Sequence, residues 1–164
     1  MGLQTSLPGR RDWRRGGQSA QRTEFVLRVF ANNAYTARRW EVSEVRLLFF
    51  READGSVPML DWPAALQFEP RLKCYVRLER LKALGHGLRR PEAEYLGEGL
   101  YELRAVSSGT QYRMIYFFQG RSAVVVSHGF AKHQSRVPER DIAMALRRRQ
   151  LCHSDPNKHT FPYQ

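Results

Sequence analysis

Two arginines, Arg104 and Arg113, stand in neighbouring strand-like runs at positions that face each other. The segment Gly99–Lys132 reads GLYELRAVSSGTQYRMIYFFQGRSAVVVSHGFAK and holds three such runs, Leu100–Val106, Gln111–Phe118 and Ser122–Phe130. Ser-Ser-Gly-Thr and Gln-Gly-Arg separate them, both good turn chemistry. A four-residue turn over Ser107–Thr110 pairs Val106 with Gln111 and sets Arg104 directly opposite Arg113. Like charges so placed destabilise an antiparallel pair. An anion between them, such as a phosphate, would relieve the repulsion.

Strand alternation places Glu102, Arg104, Arg113 and Ile115 on one face, with Tyr101, Leu103, Tyr112, Met114 and Tyr116 on the other. Val124–Val126 is a continuous apolar run, as in a strand buried on both faces and central in its sheet. It delivers Ser127, His128 and Gly129 near the Arg113 end of its neighbour, and Lys132 and His133 follow where the strand exits. Two arginines, two histidines and a lysine thus converge at one sheet edge, with Tyr112 close by.

That set suits cleavage of an RNA phosphodiester. The 2′-hydroxyl is the attacking nucleophile, so neither a protein nucleophile nor a metal is required, and no cofactor is expected. Arginine binds phosphate oxygens through its planar fork but is useless as a base near neutral pH. Histidine takes or gives a proton there, and a lysine depressed by cationic neighbours does the same. The candidate catalytic residues are therefore Arg113, Arg104, Lys132 and His128. His133, Tyr112, Phe130 and Arg136 are candidate substrate contacts, the aromatic pair by stacking an unpaired base.

Each residue also has a plainer reading. Arg104 can pair with Glu102 on its own face or with Glu98, whereas Arg113 has no evident acid. His128 at an apolar strand end also reads as a structural histidine, and Lys132 and His133 as ordinary strand-exit residues. Arg147–Arg149 read as a solvated helix end. Cys152, His153 and His159 lack a matching fourth group, and Cys74 and Cys152 imply neither a metal site nor a disulfide framework.

The elements that must position these groups form a small α+β domain. The chain has 164 residues, 42% hydrophobic and 12% aromatic, enough for a packed core. No apolar run approaches the ~18–20 residues of a membrane span, and the Arg-rich start lacks an apolar signal region, so a cytoplasmic protein is expected. The net charge of +11 is unevenly spread: residues 1–40 carry +6, residues 41–99 carry −1 and residues 100–149 carry +6. A basic half beside a near-neutral half is the footprint of a polyanion binder, or else a generic solvated basic surface.

Residues 1–40 read as a disordered basic extension in which only Phe25–Phe30 resembles a strand; it is either a nucleic-acid arm or a mispredicted start. A globular domain is expected over 41–150, and residues 151–164 are expected to be a disordered tail. Within the domain the pattern predicts a strand at Val45–Arg51, a short helix near Pro58–Gln67 and a helix over Glu69–Leu84. The last has the apolar stripe Leu72, Tyr75, Val76, Leu81 and Leu84. A loop over His86–Gly99, the three-strand meander and a helix from Glu139 to about Gln150 complete it. The expected architecture is two helices packed on one side of a twisted antiparallel sheet of about four strands, closed by a C-terminal helix.

The segments GLYELR (Gly99–Arg104), QYRMIYFF (Gln111–Phe118), HGFAKH (His128–His133) and PERDIAMA (Pro138–Ala145), with MLDWP (Met59–Pro63), resemble in order and spacing the RelE/ParE toxin superfamily. The likeness is to its HigB-like, phage-derived branch and runs from Val45 to about Arg149. It implies a type II toxin that cuts messenger RNA, typically on the ribosome, without a metal, and a protein antitoxin carrying a helix-turn-helix domain. Arg104, Arg113 and Lys132 match the positions where the superfamily holds phosphate-binding and acid–base groups. The resemblance departs at Glu102, where some members have lysine. A non-enzymatic ParE-like inhibitor of DNA gyrase or of the ribosome is the alternative on the same fold.

Overall fold

The computed structural model describes residues 44–132 and 136–163. The basic extension expected over residues 1–40, and His133, lie outside the described residues. The elements are β1 (Arg46–Phe50), α1 (Pro58–Ala64), α2 (Phe68–Leu84), a 3-10 turn (Gly85–Gly87), β2 (Ala93–Gly97), β3 (Leu100–Ser107), β4 (Thr110–Gln119), β5 (Ala123–Lys132), α3 (Glu139–Ser154), α4 (Pro156–His159) and β6 (Thr160–Pro162). The strand order is β2-β3-β4-β5-β1-β6.

The α+β class stands, but the sheet is mixed and has six strands rather than about four. β1 runs parallel to β5, while every other neighbouring pair is antiparallel. β2 lies within the segment expected to be a loop; its five residues, with Pro91 before them and Gly97 closing them, carry too little alternation to announce a strand. The tail expected to be disordered forms α4 and β6. Thr160–Pro162 has no strand pattern of its own and is ordered by the open edge of β1, against which Phe161 pairs with Phe49. Arg51 reinforces the join, donating from Nε to the Lys158 carbonyl at 2.8 Å and from Nη2 to the Asn157 carbonyl.

The sheet has a core on each face. On one, Cys74, Leu78 and Leu81 of α2 and Met59 of α1 pack on Leu103, Ala105, Met114, Tyr116, Val124 and Val126. The buried line of α2 is therefore Cys74–Leu78–Leu81, while Leu72, Tyr75 and Val76 of the expected stripe are only half-buried. On the other, Ala145 and Cys152 of α3 pack on Phe50, Leu100, Ile115, Phe117 and Val125.

Two local features set which side chains meet. Ser107 pairs with Thr110, leaving Ser108 and Gly109 as a two-residue connection with φ of 47° and 77°. Positive φ at both positions is the primed turn that matches strand twist. It fixes the expected register, Val106 with Gln111 and Arg104 with Arg113.

The second is a bulge between β4 and β5. Ile115 pairs with His128 but Tyr116 pairs with Val126, so Ser127 has no partner in the ladder. Strict alternation from Val126 would carry His128, Phe130 and Lys132 to the α2 face. The extra residue reverses the parity and turns all three to the α3 face, beside Arg113. Gly129 then faces α1, where a Cβ would lie 2.2 Å from the ring of Trp62. The glycine of HGFAKH is thus required by the tryptophan of MLDWP.

Candidate nucleic-acid interface

Three rungs cross the α3 face of the sheet. Glu94, Glu102, Ile115 and His128 make the first; Arg104, Arg113 and Phe130 the second; Val106, Gln111 and Lys132 the third.

The two arginines do face each other, but the anion between them is the protein's own. Glu102, only 1% exposed, accepts at Oε1 from Arg104 Nε at 2.7 Å and Nη2 at 2.5 Å. Its Oε2 lies 3.5 Å from Arg113 Nε, an ion-pair distance without hydrogen-bond alignment. Arg113 Nη2 donates to Gln111 Oε1, and Arg104 also pairs with Glu94. So Arg113 has an acid after all, one rung away on the adjacent strand. Of the two acids in reach of Arg104 by sequence, Glu102 holds it; Glu98 sits in the β2–β3 turn, where its carbonyl accepts from Arg149.

Beside this cluster a groove of about 320 Å³ is lined by Glu94, Tyr95, Glu102, Arg104, Lys132 and Arg136, with Ile142 of α3 on its wall. Lys132 and Arg136 have no acidic partner among the described residues. The structure therefore brings together Arg104, Lys132 and Arg136, while Arg113, 6% exposed, does not line the groove. Phe130 shares the Arg113 rung and packs partly into the α3-side core. Tyr112 points to the opposite face, with its ring centroid 6.4 Å from that of Trp62, and is not brought to the groove.

His128 is also set apart from it. The side chain is buried, with Ser127 Oγ 2.9 Å from Nδ1 and Asp141 Oδ1 3.3 Å from Nε2. Burial, and next the charge of Arg148, pull its pKa down to about 4, which the Asp141 carboxylate only partly opposes. The imidazole is therefore neutral near pH 7 and lies between the β5 bulge and Asp141 of α3, outside the groove.

Arg148 is not part of a solvated helix end. It is buried, donates from Nη1 to the Ser127 carbonyl at 3.1 Å, pairs through Nη2 with Glu52 at 2.5 Å, and lies 4.9 Å from the centroid of the Phe50 ring. The signal for it was present in the sequence: Asp141, Ala145, Arg148 and Cys152 are the buried residues of α3, at helical spacing along one stripe. A larger depression of about 380 Å³ along α3 is lined by Glu52, Met144, Arg147 and Arg148, but it gathers none of the rung residues. Cys152 and His159 serve packing: the thiol, pushed up to about 12 by burial, faces the His159 carbonyl at 3.4 Å, and the His159 ring stacks on Phe50.

The family model described as Phage derived protein Gp49-like (DUF891) matches residues 59–150, more than half of the chain. The chain belongs to this Gp49-like family. The family is of RelE/HigB-like toxin type and is associated with the toxins of toxin–antitoxin pairs. No curated protein matches the chain at a significant level.

In this Gp49-like chain the matched span starts in α1 and ends in α3, so it takes in Trp62, all three rungs and Arg148. β1, α4 and β6 lie outside it. Among the described residues no helix is long and apolar enough to cross a membrane.

Proposed function

We propose that this Gp49-like chain is the toxin of a type II toxin–antitoxin system, of the HigB-like branch, and that it is a metal-independent endoribonuclease acting on messenger RNA on the ribosome. Its toxin domain would span residues 41–150, it would work in the cytoplasm, and a cognate antitoxin with a helix-turn-helix domain would neutralise it. The observation that carries this reading is the groove in which Lys132 and Arg136 stand without acidic partners beside Arg104.

In the mechanism, Arg136 and Lys132 bind the RNA backbone through charge-assisted contacts that order the strand. Arg104, whose side chain is 24% exposed, exchanges Glu94 for a phosphate oxygen and clamps it. The 2′-hydroxyl attacks the adjacent phosphorus, the P–O5′ bond breaks, and a 2′,3′-cyclic phosphate and a 5′-hydroxyl result. The pentacoordinate phosphorus gathers negative charge, which preorganised cations stabilise strongly. Lys132, flanked by cations, with His133 one residue on, supplies the proton transfers. Arg113 acts by holding Glu102, and hence Arg104, in place.

A non-enzymatic inhibitor of gyrase or of the ribosome is the second reading. It is favoured by one observation: Arg104 and Arg113 are already engaged by carboxylates, and no described histidine lines the groove. Primer extension on transcripts from translating extracts separates the two. Discrete cuts within codons, lost in Lys132→Ala with an unchanged melting curve, are expected. Intact messages accompanied by supercoiling defects or stalled ribosomes would select the second reading.

A further inference from the structure

We infer that Tyr95 is a base-stacking contact for single-stranded RNA where the strand leaves the groove over the β2 edge. The inference rests on the RNA reading of that groove. Among the described residues Tyr95, 57% exposed, is the one strongly exposed aromatic residue at the rim of the cationic groove of Arg104, Lys132 and Arg136, and its ring lies on the Tyr101 side of β2. The other exposed apolar side chains, Leu60, Phe68, Val106 and Met144, line no part of it.

The ring is also held still. Its centroid is 5.0 Å from that of Tyr101 at 55°, and its hydroxyl accepts from the Gly99 N–H at 3.2 Å. Tyr101 in turn stacks on buried Tyr116 at 5.3 Å and 19°. An exposed ring fixed from behind has already lost the freedom that binding would otherwise remove. Among the described residues β2 is the end of the sheet, and no further strand flanks Tyr95 on that side.

The chemistry of the neighbours selects the ligand. Cations that grip phosphates beside a ring that offers a π face are the two components of single-strand recognition, and every base can use the second. A base inside a duplex cannot reach the ring, because it is already stacked. Alternation along β2 explains the geometry: Glu94 faces the Arg104 side while Tyr95 stands with Tyr101, so the strand must cross the edge to pass from one to the other.

The test is fluorescence anisotropy with a short, fully 2′-O-methylated single-stranded RNA, which cannot be cleaved, and with its duplex. Tyr95→Ala should weaken single-strand binding about 5- to 100-fold and leave duplex binding unchanged. Tyr95→Phe should bind like the parent although it loses the Gly99 contact. Tyr95→Leu keeps apolar bulk against Tyr101 and should lose affinity as alanine does, which guards against a folding artefact. Parent-like binding by Tyr95→Ala and Tyr95→Leu, while Lys132→Ala loses affinity, would overturn the stacking role and leave the groove reading intact. A loss confined to antitoxin affinity would also overturn it. A parent chain that binds neither probe at low salt would overturn both.

Discussion

Arg148 Nη1 donates to the Ser127 carbonyl at 3.1 Å, satisfying the one residue of β5 that the β4–β5 ladder leaves without a partner. The bond matters because the bulge at Ser127 decides which face His128, Phe130 and Lys132 occupy. Arg148→Met keeps the bulk on Phe50 but removes the donor and strands Glu52, so a loss of roughly 2–3 kcal/mol is expected in urea unfolding. Hydrogen exchange at residues 129–132 should accelerate more than in β1. Equal acceleration in both strands would mean that Arg148 supports the fold generally and not the bulge.

Glu102 has two opposed effects, which one variant should separate. Glu102→Gln leaves Arg104 and Arg113 facing each other without the buried charge between them, at a cost of roughly 3 kcal/mol of stability. It also removes an anion beside the groove, so binding of a non-cleavable RNA should tighten roughly tenfold at low salt. A variant that is less stable and binds no better would show that the carboxylate does not compete with phosphate.

Gly129 is held to glycine by Trp62 and not by its backbone angles. Gly129→Ala places a methyl carbon 2.2 Å from ring atoms of Trp62, far inside van der Waals contact, so thermal unfolding should show a loss of roughly 1–3 kcal/mol. Adding Trp62→Leu should recover part of it, making the double variant less impaired than the two single effects together. Strict additivity would refute the contact as the cause.

His128 makes the fold acid-sensitive in a defined interval. A histidine whose folded pKa lies near 4, below its ordinary value of 6.5, binds fewer protons folded than unfolded between those limits. Its contribution is therefore flat above pH 6.5, falls steadily from there to pH 4, and levels off below, for a total on the order of a few kcal/mol. Stability measured from pH 7.5 to 4 should decline more steeply for the parent than for His128→Gln. Parallel curves would mean that the buried imidazole is not the titrating group.

The sequence by itself determined what is local. Alternation and the Ser-Ser-Gly-Thr turn set Arg104 against Arg113, because a two-residue connection with positive φ at Ser108 and Gly109 leaves a single register. The apolar run at Val124–Val126 marked the central strand for the same reason: a strand covered on both faces cannot afford polar residues.

What only the tertiary structure decided depended on partners distant in the chain. The parity of β5 turns on one extra residue, which alternation cannot count, and Arg148, 21 residues away, satisfies its carbonyl. β6 exists because β1 offered unpaired backbone groups, not because Thr160–Pro162 favours a strand. The anion between the arginines was visible as Glu102 on the shared face. That it reaches Arg113 as well as Arg104 depends on how β3 and β4 pack beneath α3. Charge pairing is read from distance, and distance between strands is set by the fold.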